Sequence, residues 1–321
     1  PALPDEDVYP KTLDEQRAEM LKRMQVMLEL DDAKIAAVKA ILDKSEIIGQ
    51  GNPAVVTYAM TRKECRERRE AAHVVDVDDP ICGAPLMAPL WDPKAGESAK
   101  DAKACIDRYE FPGVPCDYPV TWVSPRDAAA LCEAIGKRIC DAHEWEGACA
   151  GAVLPPEKEY AFGKPRKEMK VRHNSDRERV WAYGAERDLK KCGTGSKKSK
   201  TCEKSGWKKC GSNTYPDGSF PECRSSFGVY DQHGNVAEHM NMPMKLEELA
   251  SRGGKGETEM KGSWFIFQGF DAHEDDCRWR APDWHATKLD SFDGHANYHL
   301  GFRCCKNVET PGNAPAPVPA E

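Results

Sequence analysis

Between Gly262 and Cys305 the chain gathers side chains that ligate, stack and cross-link. Trp264, Phe265, Phe267 and Phe270 crowd its start; Cys277, Cys304, Cys305, His273, His285, His295 and His299 follow. Thiolates hold soft metals or become disulfides, imidazoles hold borderline metals, and the acidic run from Asp271 to Asp276 offers hard oxygen ligands. Two readings of that run stay open: a metal site completed by His285, His295 or His299, or a solvated acidic loop. An apolar strand start, a ligand-rich middle and a double-Cys close mark the stretch as the place where the fold ties itself shut. Upstream, Gly234-Asn235 followed by Glu238 combines an amide oxygen, backbone carbonyls and a carboxylate, the donors a hard cation needs. The plain alternative is that Asn235 shapes a tight turn and Glu238 pairs with an arginine.

Fourteen cysteines are spread over 321 residues, an even number with no CxxC pair. That pattern suits disulfides more than zinc or thioredoxin chemistry and predicts a periplasmic or secreted protein; a cytosolic protein with scattered thiols is the alternative. A start at Pro1 without Met fits a processed chain with its signal peptide removed. The net charge of −7 without a basic stripe gives no reason to expect nucleic acid. No apolar run is long enough to span a membrane.

The elements that must position these residues read as follows. Thr12 to Glu15 has capping-box form, and Leu13, Met20, Leu21, Met24, Met27 and Leu28 recur at helical spacing, predicting a helix to about Leu30. Asp31 and Asp32 cap a second helix carrying Ile35, Val38, Ile41 and Leu42, and Thr61 opens a third. The methionine stripe is either a partner-binding face or the packed face of a helical hairpin. Residues 1–75 are thus a helical N-terminal extension, and 76–103 a linker or irregular wrap with Cys82 stapled in place, for instance to Cys65. Cys105 to Phe111 and Val120 to Val123 read as strands. Ser124-Pro125 and Asp141 with Glu144 start two helices, ended by Gly136 and Gly151. Residues 183–226, rich in Lys, Gly and Ser, read as a Cys-rich insertion outside any core, held by cross-links among Cys192, Cys202, Cys210 and Cys223; zinc is the alternative. Residues 307–321 are a disordered Pro-rich tail.

Four motifs in order carry a resemblance. Residues 130–151, ALCEAIGKRICDAHEWEGACAG, are similar to the GKRLxTxxEWExACRG signature of the formylglycine-generating enzyme, or sulfatase-modifying factor, family. Residues 228–238, GVYDQHGNVAE, resemble its GLYDMxGNVWEW; Lys261 to Trp264 its RGGSW; Leu300 to Cys304 its terminal GFRC. The resemblance covers about two thirds of the chain and implies an α+β, C-type-lectin-like domain over 104–306, low in regular structure.

It also implies disulfides Cys132–Cys304 and Cys149–Cys277, with Cys140 and Cys305 as the extra pair of the same two motifs. It implies a structural Ca²⁺ held by Asn235, the Val236 carbonyl and Glu238, and a second site that Asn174 would help form. Catalytic members of the family hold copper on two cysteines five residues apart. The corresponding positions here fall near Phe267 and Ala272, so no copper and no cysteine-to-formylglycine oxidation is expected. The other enzymatic branch, the sulfoxide synthases, needs a His-rich helical domain, and the N-terminal segment offers only His73. The expectation is a pseudoenzyme: a calcium-binding, non-catalytic binding or structural subunit of a cell-envelope or extracellular assembly, its protein partner met by the N-terminal helices. The alternative is an oxidoreductase with a changed metal site.

Overall fold

The computed structural model describes residues 9–200, 206–251, 256–281 and 287–309. Thr12 accepts from the Glu15 amide while the Glu15 carboxylate accepts from the Thr12 amide, starting α1 (Leu13–Met27). Asp31 caps α2 (Asp32–Leu42), and a second capping box, Thr61 with Glu64, starts α3 (Arg62–Ala71). Met20, Leu21, Met24 and Leu28 share one core cluster with Val38 and Leu42 of α2, and with Phe111, Leu131 and Phe302. The methionine stripe is therefore core: Met24 and Val38 have no exposed surface.

The stretch read as a wrap holds a strand. β1 (Met87–Leu90) runs antiparallel to β2 (Ala104–Asp107) in a sheet ordered β1-β2-β7-β3, with β3 (Arg138–Ile139) and β7 (Cys304–Asn307). The periodicity was obscured by Pro89, which a sheet tolerates here because β1 is the edge strand. α4 (Pro125–Ala134) and α5 (Ala142–Ala150) follow their expected caps, Ser124 and Asp141. α6 (Pro156–Glu159), α7 (Arg166–Asp176) and α8 (Gly206–Lys209) are peripheral. β4 (Ala237–Met242) lies between β5 (Glu257–Lys261), antiparallel, and β6 (Leu300–Gly301), parallel.

Three further readings need correction. Val120 to Val123 is not a strand: only Thr121 pairs, with Gly49, because Trp122 adopts φ 62° and breaks the extension. The strand of the closing stretch ends at Lys261, before the aromatics; Gly262 turns the chain at φ 75° and residues 264–270 fold into successive turns. Residues 211–219 are buried although poor in apolar side chains. Ser212, Asn213, Thr214, Asp217 and Ser219 sit inside the molecule, where Asn213 donates to the Lys197 carbonyl (2.6 Å) and accepts from the Thr57 amide (2.9 Å). Hydrogen bonds let a polar loop go inside that composition alone assigns to the surface.

Six disulfides join described residues. Cys132–Cys304 and Cys140–Cys305 fasten α4 and the residue after β3 to β7, and Cys149–Cys277 fastens α5 to the closing stretch. Cys82 bonds Cys105 rather than Cys65, since β1 and β2 bring those two together, and Cys65 bonds Cys116. Cys192 bonds Cys223, which removes the four-thiolate zinc reading; Cys202 lies outside the described residues.

Candidate functional site

The loop entering β4 is set by its backbone. Gly234 has φ 77° and a Cβ there would meet the Gly193 backbone at 2.8 Å; Asn235 follows at φ 48°, a conformation asparagine tolerates. Asn235 Oδ1 accepts from the Tyr215 amide (2.9 Å), which orients its Nδ2 toward Glu110 Oε2 (2.6 Å) and Asp217 Oδ1 (3.3 Å). The Val236 amide donates to Glu110 Oε1 (3.1 Å). Glu238 lies one turn of strand away with both oxygens engaged: Arg303 Nε and Nη2 donate to Oε2 and Oε1 at 2.7 Å, and Trp145 Nε1 donates to Oε2 (3.1 Å). Asn174 is placed elsewhere, clamping the backbone of Arg280 through its carbonyl (3.0 Å) and amide (2.9 Å).

The structure therefore gathers Asn235 and Val236 around Glu110, turns Glu238 to Arg303, and sets Asn174, expected at a second site, against Arg280. Two of the three groups assigned to the first calcium site are already engaged: the Asn235 oxygen serves a backbone amide and the Glu238 carboxylate serves a guanidinium. What the turn does face is a group of carboxylates that sequence reading missed. Oxygens of Glu110, Asp217 and Asp231 lie within 4.8 Å of one another. All three side chains are buried. Burial first, and the neighbouring carboxylates second, push Glu110 and Asp217 well above the usual carboxylate range; burial raises Asp231 to about 6. Glu110 was hidden in a predicted strand and Asp217 in the supposed insertion. Asp231 was visible inside the quoted motif, beside the turn it serves, and that adjacency was the available signal.

The closing stretch is tied as a clasp, with Cys277, Cys304 and Cys305 all in disulfides. Phe267 is buried against Trp264, and Ala272 is exposed. His273 stacks on Trp279 (centroids 4.3 Å apart) and His299 on Trp264 (4.8 Å). Among the described residues no group of three potential metal ligands includes a histidine of this stretch; His285 lies outside them. Asp271 and Glu274 are exposed, whereas Asp275 and Asp276 are buried, Asp276 paired with Arg177 (2.8 Å). Behind the clasp, Lys261 and Arg280 converge on Glu146 at 2.9 and 3.1 Å. Burial raises the Glu146 pKa, but Arg280 and Lys261 outweigh that and hold it well below the usual range.

The sequence model of the family described as the Sulfatase-modifying factor enzyme 1-like domain matches residues 55–308, most of the chain. The chain belongs to this family. The match begins inside the stretch read as a helical extension and takes in α3, β1 and their disulfides. Among solved structures, the chain is similar to that of CarF at 14% identity, over 64% of this chain and 87% of the other, with a TM-score of 0.37. No curated protein matches it. The α+β domain of the family, stapled by disulfides, is thus the architecture here. Among the described residues no helix is long and apolar enough to cross a membrane.

Proposed function

We propose that this chain is a non-catalytic member of the family, a secreted or periplasmic binding or structural subunit of an envelope or extracellular assembly. The observation that carries this reading is the side-chain chemistry of the closing stretch. The two positions that resemblance assigns to copper thiolates are a buried phenylalanine, Phe267, and an exposed alanine, Ala272. No cysteine among the described residues is left free, so no soft thiolate pair remains there to hold Cu(I). Six cross-links favour an oxidising compartment. What such a scaffold offers is surface: rigid loops held by cross-links suit recognition.

Partner contact through α1 and α2 would use their outer, charged faces, because the methionines are spent in the core. The decisive experiment combines metal analysis of the purified protein with an assay for formylglycine in a cysteine-containing sulfatase peptide. Neither stoichiometric copper nor iron, and no product, is the expected result. One equivalent of either metal together with turnover would overturn the reading.

A further inference from the structure

We infer that Lys197, Lys198 and Lys200, with Lys208 and Lys209 beside them, form a docking surface for a linear acidic polysaccharide. The inference names a partner class for the binding role proposed above and rests on that reading only for the compartment.

Charge comes first. Residues 187–209 hold nine Lys and Arg against two acidic residues, a net +7 in a chain whose total is −7, so the remaining residues carry −14. Elsewhere buried cations are matched, as Arg303 is by Glu238 and Lys261 by Glu146. Arg187 is matched too, by Asp271 (2.8 Å) and Asp275 (3.2 Å), and Lys208 comes within 3.7 Å of Glu46. Lys197, Lys198 and Lys200 are exposed and, among the described residues, pair with no carboxylate. A displayed patch of one sign draws in a polymer of the other.

Geometry comes second, because the backbone carrying these lysines is held. Ser196 N–H donates to the Phe265 carbonyl (2.7 Å), Asn213 to that of Lys197, and Ser199 Oγ to that of Val55 (3.4 Å). Asn52 donates to the Lys208 carbonyl (3.3 Å), so one short loop, 52–55, touches both lysine groups and keeps them adjacent. Binding then costs side-chain freedom but no ordering of the loop.

The chemistry of the patch selects among polyanions. Its unmatched cations are lysines, point charges without the guanidinium fork that reads phosphates and base edges. Trp207 is buried, its indole N–H donating to Gln16 (3.0 Å), and so offers no platform for stacked bases. Among the described residues, none of the exposed large apolar side chains lies between 187 and 209, which leaves nothing there to insert into a bilayer. A hydrophilic, flexible chain of spaced carboxylates or sulfates fits what is displayed.

The test is binding of the full-length, non-reduced protein to immobilised heparin at neutral pH, from about 50 mM NaCl upward. Retention is expected at low salt and should fall steeply as salt rises. The triple variant Lys197→Gln/Lys198→Gln/Lys200→Gln should weaken binding by about tenfold or more. A control with the same loss of charge elsewhere, Lys22→Gln/Lys44→Gln/Lys100→Gln, should change it by less than about twofold. All six side chains are exposed, so both variants should keep the wild-type Tm. Absence of retention by the wild type overturns the inference. Equal losses in the two variants do the same, by showing an effect of bulk charge. Tighter binding of duplex DNA, poly-glutamate or phosphatidylserine vesicles than of heparin overturns the partner class. None of these results touches the metal and product assays, which test the absence of catalysis separately.

Discussion

At the scale of single residues, Arg303 decides what the β4 strand can do. Its guanidinium grips both Glu238 oxygens and also donates to the carbonyls of Asp107 (3.2 Å) and Tyr230 (2.9 Å), all inside the protein. Removing a buried partner strands a charge, which costs far more than the intact pair contributes. Arg303→Met is therefore expected to lose about 3–5 kcal/mol in urea unfolding, and adding Glu238→Gln to recover much of it. A double variant no more stable than the single would show that the loss is packing alone. The pair was half legible in sequence. Glu238 was weighed as an arginine's partner, but nothing local said which arginine, because the partner arrives from the link between β6 and β7 through tertiary contact. Asn235 was legible for the opposite reason: a left-handed turn is a local demand that few residue types meet. Glu110 and Asp217 were not, since each looks ordinary beside its own chain neighbours and becomes unusual only when folding puts them together.

At the scale of elements, the helices were readable because caps and 3.6-residue periodicity are local. Thr12, Asp31, Thr61, Ser124 and Asp141 all accept at the start of the helices they were expected to open. The same periodicity says which face packs, and α1 is the case to test. Met24 has no exposed surface and contributes to the largest cluster, whereas Met27 is only partly buried against it. Met24→Ala should cost about 2–5 kcal/mol and Met27→Ala clearly less, measured by thermal or denaturant unfolding. Equal and small effects would return the stripe to the surface as a partner face. Where the expectation failed, at residues 211–219, composition was the wrong guide: a loop can be interior when its polar groups find partners, and those partners are invisible until the chain is folded.

At the scale of the whole molecule, the vicinal Cys304 and Cys305 act on one another's effect. Cys132–Cys304 spans 172 residues, which the Cys149–Cys277 bond shortens to a ring of roughly 46, a closure worth about 4 kcal/mol in the chain-entropy account. Cys140–Cys305 spans 165, yet once the first bond exists it closes only the short path from Cys132 to Cys140 and back across one peptide. A ring of roughly ten residues is worth about 2.5–3 kcal/mol by the same relation. Either bond alone performs the long closure, so deleting one should cost only the small ring. Deleting both should lose the long closure as well, about 7 kcal/mol in all, more than the two single losses added together. Cys→Ala pairs compared by non-reducing denaturant unfolding provide the measurement, with the fourfold variant completing the cycle. Strict additivity would mean that the two bonds act through local native-state packing, with no shared constraint on the unfolded chain.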